Sequence, residues 1–172
     1  MTNDTLRELD TPVGRLLIVA SDAGLTHVEI EHSGRLPEAL PPLGDRAREH
    51  ADAATHALRE YFAGERKQFT DLTLDARGSD FQCRVWRALS DIPFGATESY
   101  GGLAKRIDRP KASRAVGMAN NRNPIAIIVP CHRVIGANGK LVGYGGGLDM
   151  KQWLLRHEGT LPLAMPGLKG AA

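Results

Sequence analysis

A chain of 172 residues with 42% hydrophobic side chains is long enough to bury a core, in one domain or in two small ones. Its acidic start, MTNDTLRELD, and the shortness of its first apolar run, LLIVA, predict neither a signal peptide nor a membrane-spanning segment. The two cysteines, Cys83 and Cys131, could form a disulfide. Without a secretory context two cysteines are more often free thiols, so we expect both to be reduced, in the cytoplasm.

The net charge is close to balanced, at +2, but it is unevenly distributed along the chain. Residues 1–80 carry 9 Lys and Arg against 15 Asp and Glu, residues 81–133 carry 9 against 3, and residues 134–172 carry 4 against 2. A basic stretch this local is typical of a surface that faces a polyanion, because Lys and Arg bind phosphates and release counterions. A solvated face that pairs with the acidic half explains the same pattern, so charge alone leaves both interpretations open.

The first half of the chain predicts an α/β domain. Residues 6–31 alternate apolar and polar side chains between turns, which predicts a small antiparallel meander. After a Pro-rich loop, DRAREHADAATHALREYFAGE has apolar side chains at helical spacing, with Asp45 as a candidate N-cap and Gly64 as a stop. The segment DLTLDA predicts a further strand, and RGSD at 77–80 marks a domain boundary.

The second half predicts a mainly α domain. Ser79 or Asp80 is placed to cap a helix over FQCRVWRALSDI. Residues 99–107 and 112–121 then predict two helices separated by DRPK, in which Pro110 cannot continue the first helix. That spacing is typical of a helix-turn-helix, although such a pair is also an ordinary packing unit.

The second helix of this pair is built from short side chains, which narrows the way it could bind DNA. Arg114 alone is long enough to probe a duplex, whereas its neighbours are too short to reach base edges in a deep groove. A helix of this kind can lie close to the backbone or in a minor groove, with little sequence preference. The short residues are Ala112, Ser113, Ala115, Gly117 and Ala119.

The segment VPCHRVI, at 129–135, places a cysteine beside a histidine in an apolar run. Neighbouring side chains of an extended segment point to opposite faces, so Cys131 and His132 would need a bridging water to pass a proton. His132 would then act as a base and would want a carboxylate behind it, for which Glu158 at a helix end is the nearest candidate. The alternative is a buried structural cysteine beside a satisfied histidine, which the pair alone favours. The cysteines lack the spacing of a zinc site, so no metal is expected.

The combination of motifs in the second half carries a resemblance to a known family. PCHRVIG, preceded by RAVGMANNRNPIAIIV and followed by GYGGGLDMKQWLLRHEG, with FQCRVWRALSDIPFGATESYGGLAKRI upstream, closely resembles the O6-alkylguanine-DNA alkyltransferases, also called methylated-DNA–protein-cysteine methyltransferases. The match runs from about Asp80 to Gly159, and the first half resembles the N-terminal domain of that family. The resemblance implies a ribonuclease H-like α/β domain at 1–78 and a mainly α, winged-helix-like domain with the helix-turn-helix at 79–160. The Pro-, Gly- and Ala-rich composition after Thr160 predicts a flexible tail at 161–172.

The resemblance also implies an activity, DNA repair by direct reversal. The alkyl group of O6-alkylguanine, with O4-alkylthymine as a second candidate substrate, would move once and irreversibly to Cys131, without cofactor or metal. His132 and Glu158 would form a water-bridged proton relay, and Tyr100 would rotate the phosphate and donate a proton to the leaving base. Arg114 would fill the space of the flipped nucleotide. The implied partner is double-stranded DNA that carries the lesion, bound by a monomer whose cooperativity along DNA is left open.

The same motif match assigns the remaining site residues. Asn123, in NRNP, would be the hinge between the helix pair and the active-site strand. Tyr144 and the backbone N–H of Gly145 would line the guanine pocket, where the carbonyls of Cys131 and Val134 would accept from the exocyclic amine. The residues implied to contact DNA are Arg114, Tyr100, Ala112, Ser113, Ala115, Gly117 and Met118.

Three rival functions are distinguishable from this one. A non-catalytic alkyl-guanine sensor of the same family replaces the cysteine, so Cys131 argues against it. A helix-turn-helix regulator would prefer particular DNA sequences and ignore the lesion. A cysteine hydrolase using Cys131 and His132 would turn over repeatedly and would not need Arg114.

Overall fold

The computed structural model describes residues 6–40 and 44–160, which fall into two compact units. The first unit comprises the chain up to Arg77 together with Pro124–Ile128, and the second comprises Gly78–Asn123 and the chain from Val129 onward. No helix within the described ranges is long and apolar enough to cross a membrane.

The first unit is built on a three-stranded antiparallel sheet in the order β1 (Leu6–Thr11), β2 (Gly14–Ser21) and β3 (Gly24–Ile30), which confirms the predicted meander. Helix α1 (Asp45–Phe62) packs against all three strands. The alternation of apolar side chains along the strands and their helical spacing along α1 bury one common core. Its fully buried members include Leu16, Ile18, Val28, Ala54, Leu58 and Tyr61.

The start of α1 differs from the prediction that Asp45 is its N-cap. Gly44 is the N-cap, and Asp45 lies in the first turn, where its carboxylate favours the positive end of the helix dipole. The side-chain acceptor comes from the β2–β3 turn, where Asp22 Oδ1 accepts from Ala47 N–H at 3.0 Å. A cap supplied from 25 residues away leaves no local sequence signal.

The prediction of a strand at DLTLDA is wrong, because this segment makes only one bridge to the sheet. Leu74 bridges Leu25 in parallel, with Leu25 N–H donating to Thr73 O at 2.8 Å and Asp75 N–H donating to Leu25 O at 2.7 Å. The close approach depends on Gly24, at φ +153°, because a Cβ there would lie 2.8 Å from the carbonyl oxygen of Thr73.

The segment 124–128 lies inside the predicted 79–160 domain but groups with the first unit. Val28 N–H donates to Pro124 O at 2.9 Å, and Ala126 N–H donates to Val28 O at 3.0 Å. Since β3 is an edge strand, this bridge and the one at Leu25 together pair part of its open side.

The second unit is mainly helical, as predicted. Its elements are α2 (Asp80–Ser90), β4 (Glu98–Ser99), α3 (Tyr100–Arg106), α4 (Ser113–Asn121), a 3-10 turn (Cys131–Arg133), β5 (Val134–Ile135) and α5 (Leu148–His157), with β4 and β5 paired in parallel. Of the two candidate caps for α2, Ser79 fills the role. It forms a capping box with Gln82, in which Gln82 N–H donates to Ser79 Oγ at 3.2 Å and Ser79 N–H to Gln82 Oε1 at 2.9 Å.

Helices α3 and α4 pack against each other and against α2, so the predicted helix pair is present. Their contact buries Leu103 and Val116 completely. Trp86 of α2 donates its indole N–H to the carbonyl of Ala119 at 2.8 Å, which ties α4 to α2. Ala119, interpreted above as one of the short residues of a DNA-facing helix, is therefore a packing residue at 3% exposure.

Candidate functional site

Cys131 lies at the start of a 3-10 turn, so the prediction that the cysteine and histidine sit in an extended strand is wrong. Pro130 has no N–H to give to a ladder, and its ψ of 64° bends the chain. The turn closes on itself, with Cys131 N–H donating to Val129 O at 2.8 Å and Arg133 N–H to Pro130 O at 3.0 Å. The thiol is therefore held in a buried bend, with β5 beginning only at Val134.

The structure brings His132 and Glu158 together. His132 is fully buried, Glu158 is 4% exposed, and His132 Nε2 lies 2.8 Å from Glu158 Oε1. The other ring nitrogen, Nδ1, is buried and makes no hydrogen bond to a described residue. One side of the imidazole is thus anchored, and the other is placed to accept a proton.

Different effects dominate the pKa values of His132 and Glu158. Burial lowers the pKa of His132, and this outweighs the opposing effect of Glu158, so the imidazole is neutral near pH 7. Burial alone would raise the pKa of Glu158, but hydrogen bonds from His132 and Arg133, with the positive charge of Arg133, outweigh it and hold that pKa at about 2. At neutral pH a buried carboxylate thus faces a neutral imidazole.

Tyr100 opens α3, whose N-cap Ser99 accepts from Gly102 N–H at 2.9 Å. The phenol O–H donates to Val142 O at 2.9 Å. Burial raises the pKa of Tyr100, and the nearby Cys131 sulfur adds to that rise. The phenol therefore keeps its proton across the physiological range.

Tyr100 and the start of α4 line one cavity of about 310 Å³ in the second unit. Arg114, Ala115 and Met118 are exposed on α4, with Met118 at 59% exposure. Ala112 is the N-cap residue of this helix. The cavity is lined by Tyr100, Ser113, Arg114, Gly117, Asn121, Val142 and Gly143.

The remaining predicted residues lie elsewhere in the second unit. Tyr144, Gly145 and Val134 are not among the described residues that line this cavity. Asn123 is 3% exposed and donates from Nδ2 to Val129 O at 2.8 Å, which links the end of α4 to the segment before the thiol. The carbonyl of Cys131 accepts from Asn120 Nδ2 at 3.3 Å, which leaves one of its two lone pairs for a second donor.

Family models match nearly all of the described chain. The 6-O-methylguanine DNA methyltransferase ribonuclease-like domain matches residues 7–76, and the DNA binding domain of the same methyltransferase matches residues 80–160. The chain belongs to the 6-O-methylguanine DNA methyltransferase family. A curated relative from Methanosarcina acetivorans, named methylated-DNA–protein-cysteine methyltransferase, is 51% identical over 151 residues, which are 88% of this chain and 96% of the relative.

Two further relatives of this methyltransferase family extend the likeness. The protein of the same name from Mycolicibacterium paratuberculosis is 52% identical over 153 residues, covering 88% of this chain and 90% of the relative. A crystal structure of Mycobacterium tuberculosis OGT in complex with DNA is 46% identical, with a TM-score of 0.79, and covers 91% of this chain and 94% of that one.

The sequence analysis gave no role to Arg133, the last residue of the 3-10 turn Cys131–Arg133 in this methyltransferase. This side chain is 5% exposed and bonds to both oxygens of Glu158, from Nε at 2.9 Å and from Nη2 at 2.9 Å. Its remaining nitrogen, Nη1, donates to Ile92 O at 2.6 Å. Counting Arg133 as part of a basic surface was the error, since it is a buried charge.

Lys151, on α5 of the same methyltransferase unit, was also missed. It is fully buried, and its Nζ donates to the carbonyls of Val134, Val142 and Gly143 at 2.6, 3.2 and 3.4 Å. Burial lowers its pKa to about 8, although the nearby Cys131 sulfur opposes that fall. A signal was present in the sequence, because Lys151 follows Met150 on the apolar side of GLDMKQWLL, where a solvated lysine is not expected.

Proposed function

We propose that this chain repairs alkylated DNA by direct reversal, moving the alkyl group from O6 of guanine irreversibly to its own Cys131 in a single turnover. The observation that carries the proposal is the Pro-Cys-His-Arg turn with its buried His132–Glu158 pair, in a chain whose curated relatives are named for this transfer. O4-alkylthymine remains a second candidate substrate.

In the transfer step, the Cys131 sulfur forms a bond to the alkyl carbon while the bond from that carbon to guanine O6 breaks. The thiol proton passes through a bridging water to Nδ1 of His132, and the leaving guanine takes one proton from the Tyr100 phenol. The phenolate then regains a proton as His132 releases the one it accepted, so the number of protons is conserved. A thioether is stable to water, so the cysteine is consumed. One protein molecule therefore repairs one lesion.

Tyr100 and Arg114 serve the base rather than the thiol. The O6-alkyl carbon cannot meet the sulfur in line while the base is stacked, so the nucleotide must leave the helix. Arg114, exposed on α4, fills the vacated stack, and the short side chains around it let the helix approach a minor groove. Tyr100, which is protonated before transfer, turns from Val142 O to the leaving base and gives it a proton.

The finer assignments complete the proposal. The first unit is ribonuclease H-like and the second winged-helix-like, with Asn123 as the hinge. The domain bounds are 1–78 and 79–160, apart from 124–128, which groups with the first unit. Double-stranded DNA carrying O6-alkylguanine is the partner of a monomeric, cytoplasmic protein, and the relative from Mycobacterium tuberculosis crystallised with DNA supports DNA as that partner. The predicted flexible tail, 161–172, lies outside the described residues.

The test is the intact mass of the purified protein after incubation with a duplex that carries one O6-methylguanine. We expect a gain of one CH₂ per molecule, mapped to Cys131 and absent with an unmodified duplex or in Cys131→Ala. Cys83→Ala is the matched control and should gain the same mass, because Cys83 is a half-buried residue of α2 whose Sγ lies 3.7 Å from Gly78 O, outside the turn that holds Cys131. Lesion binding without a mass gain would indicate a sensor, and repeated turnover would indicate a hydrolase; either result contradicts the proposal.

A further inference from the structure

We propose that Arg133 is a positioning residue that holds the proton of His132 on Nε2 and thereby keeps Nδ1 open as the base of the relay. The inference deepens the proposed function and rests on it, because it states what prepares the imidazole for the transfer step.

The geometry around Glu158 is that of a clamped anion. Arg133 reaches both carboxylate oxygens and the carbonyl of Ile92, and its guanidinium carbon lies 5.8 Å from the centroid of the Phe94 ring. A guanidinium does not lose its proton in a protein, so the clamp is charged at every relevant pH. Glu158 Oε1 accepts from Arg133 Nη2 and also lies 2.8 Å from His132 Nε2.

An ionised carboxylate can only accept hydrogen bonds, so the short contact to Glu158 requires that His132 Nε2 be the donor. A neutral imidazole that carries its hydrogen on Nε2 has its lone pair on Nδ1. Nδ1 is the buried nitrogen that bonds to no described residue. The proton on Nε2, and with it the basicity of Nδ1, is therefore set two contacts away, at Arg133.

Removal of the guanidinium takes away the cation that bonds both oxygens of the buried Glu158 carboxylate, and the cost of keeping that carboxylate ionised can be relieved in two ways. In one, Glu158 takes a proton and donates it to Nε2, so the neutral imidazole carries its hydrogen on Nδ1. In the other, His132 takes the proton and becomes an imidazolium with hydrogens on both nitrogens. Both results put a hydrogen on Nδ1 and remove the acceptor that the thiol proton needs.

The charges that face His132 come from two elements. Burial lowers the pKa of the imidazole most. Glu158, the C-cap residue of α5, raises it, and the positive charges of Arg133 in the turn and Lys151 of α5 lower it further. The nearby groups that can titrate are Cys131 and Tyr100, and burial raises the pKa of Tyr100, so its phenol keeps its proton until transfer. Arg133 is thus the only one of these charges that contacts Glu158 directly among the described residues.

The tautomer can be measured without DNA, by long-range ¹H–¹⁵N correlation of histidine-labelled protein between pH 6 and 8, with the His132 signals assigned by their loss in His132→Gln. We expect the Nε2–H form in the wild type and Nδ1–H or imidazolium shifts in Arg133→Met. A wild type with hydrogen on Nδ1 would overturn the inference whatever the variants do, so it stays testable if Arg133→Met fails to fold. A folded Arg133→Met with the wild-type shifts would also overturn it.

Single-turnover transfer rates over the same pH range give the second readout. Arg133→Met should lose on the order of a hundredfold, the contribution of a general base, and Arg133→Lys should recover part of that loss because it keeps the charge. Arg106→Met is the matched control: Arg106 bonds both oxygens of Glu98, at 3.1 and 2.8 Å, and the carbonyl of Ala88 at 2.6 Å, yet faces no imidazole. In Arg106→Met, the tautomer of His132 and the transfer rate should match those of the wild type. If the wild type itself transferred no alkyl group, the proposed function would fail while the tautomer measurement still decided the role of Arg133.

Discussion

Arg114 is proposed to act in base flipping and not in the transfer of the alkyl group, so a variant at this residue can distinguish the two steps. It is exposed on α4 and makes no ion pair with a described residue, so its length and charge are open to DNA. Arg114→Ala should slow transfer from a duplex lesion on the order of a hundredfold, because the cost of unstacking is then uncompensated. Transfer from the free O6-benzylguanine base, which needs no flipping, should be unchanged.

The measurement is the ratio of the two single-turnover rates. Arg122→Ala, which removes an exposed arginine from the other end of the same helix, is the control and should weaken DNA binding without changing that ratio. Equal loss on duplex and free base would show that Arg114 supports the pocket rather than the extrusion of the base.

A second prediction at the level of single residues concerns Lys151. Lys151→Met keeps the length and burial of the side chain but removes the donor from the carbonyls of Val134, Val142 and Gly143. We expect the free energy of unfolding to fall by about 1–3 kcal/mol and amide exchange to quicken over 134–147, because buried carbonyls lose their partner. Hydrogen exchange read by mass spectrometry checks this, with the exposed Lys140→Met as control. Unchanged exchange in Lys151→Met would mean that the segment is held by other contacts.

The sequence analysis identified the candidate site residues whose side chains are chemically distinctive. A thiol, an imidazole, a carboxylate, a phenol and an exposed arginine stood in a recognisable motif, and His132 and Glu158 lie in contact. Arg133 and Lys151 were missed because a sequence shows charge but not burial, and both charges are enclosed by contacts that the fold creates.

At the scale of elements, the predictions succeeded where a pattern was long or had a cap. The meander and the helices each carry several periodic residues, and Ser79 caps α2 locally. The two predicted strands that failed are short. DLTLDA bridges β3 once. The run at 129–135 is bent by Pro130 into a turn, in which N–H groups bond to carbonyls two or three residues back instead of to a neighbouring strand.

The single bridge at DLTLDA yields a prediction about Gly24. Gly24→Ala should destabilise the protein by more than about 1 kcal/mol, because alanine is strained at positive φ and its Cβ would meet the Thr73 carbonyl at 2.8 Å. Gly14→Ala is the control for the backbone strain alone, since Gly14 has φ +119° but no atom within 4 Å of its Cβ position. Urea denaturation of both variants separates the two costs. Equal losses would show that the Thr73 contact gives way freely.

Across the whole molecule, the charge pattern overstates the surface open to a polyanion. Arg133 is buried on Glu158, and Arg106 is paired with Glu98. Arg84 also lies 3.7 Å from Asp108, so three of the nine cations in 81–133 already have an acidic partner. Arg109, Lys111, Arg114 and Arg122 form no ion pair within the described residues and lie at or beside α4. The basic stretch therefore supports DNA binding through a narrower set of residues than the composition indicates.

One carboxyl group in the acidic half makes the folded protein less stable as the pH rises, whereas most carboxyl groups have the opposite effect. Glu29 is 6% exposed on β3, and burial raises its pKa to about 7 from 4.5, against the charge of Arg35 and a hydrogen bond with Ser33. Between these two values the folded chain holds a proton that the unfolded chain has lost, so this contribution to stability is present below about pH 4.5 and is lost as the pH rises to about 7. His27 acts in the opposite sense, because burial lowers its pKa and its contribution is lost as the pH falls below 6.5.

Glu29→Gln should remove the loss that the ionised carboxylate causes. We expect the variant to match the wild type near pH 4.5 and to exceed it at pH 8 by up to about 3 kcal/mol, the free energy that corresponds to the raised pKa. Urea unfolding at half-unit steps of pH measures the gap, and Glu31→Gln, two residues further along with its side chain 53% exposed, should show none. If the free energies of unfolding of Glu29→Gln and of the wild type changed in parallel from pH 4.5 to 8, the prediction would be contradicted. Glu29 would then reach water when it ionises, because only a carboxylate kept from water has a raised pKa in the folded state.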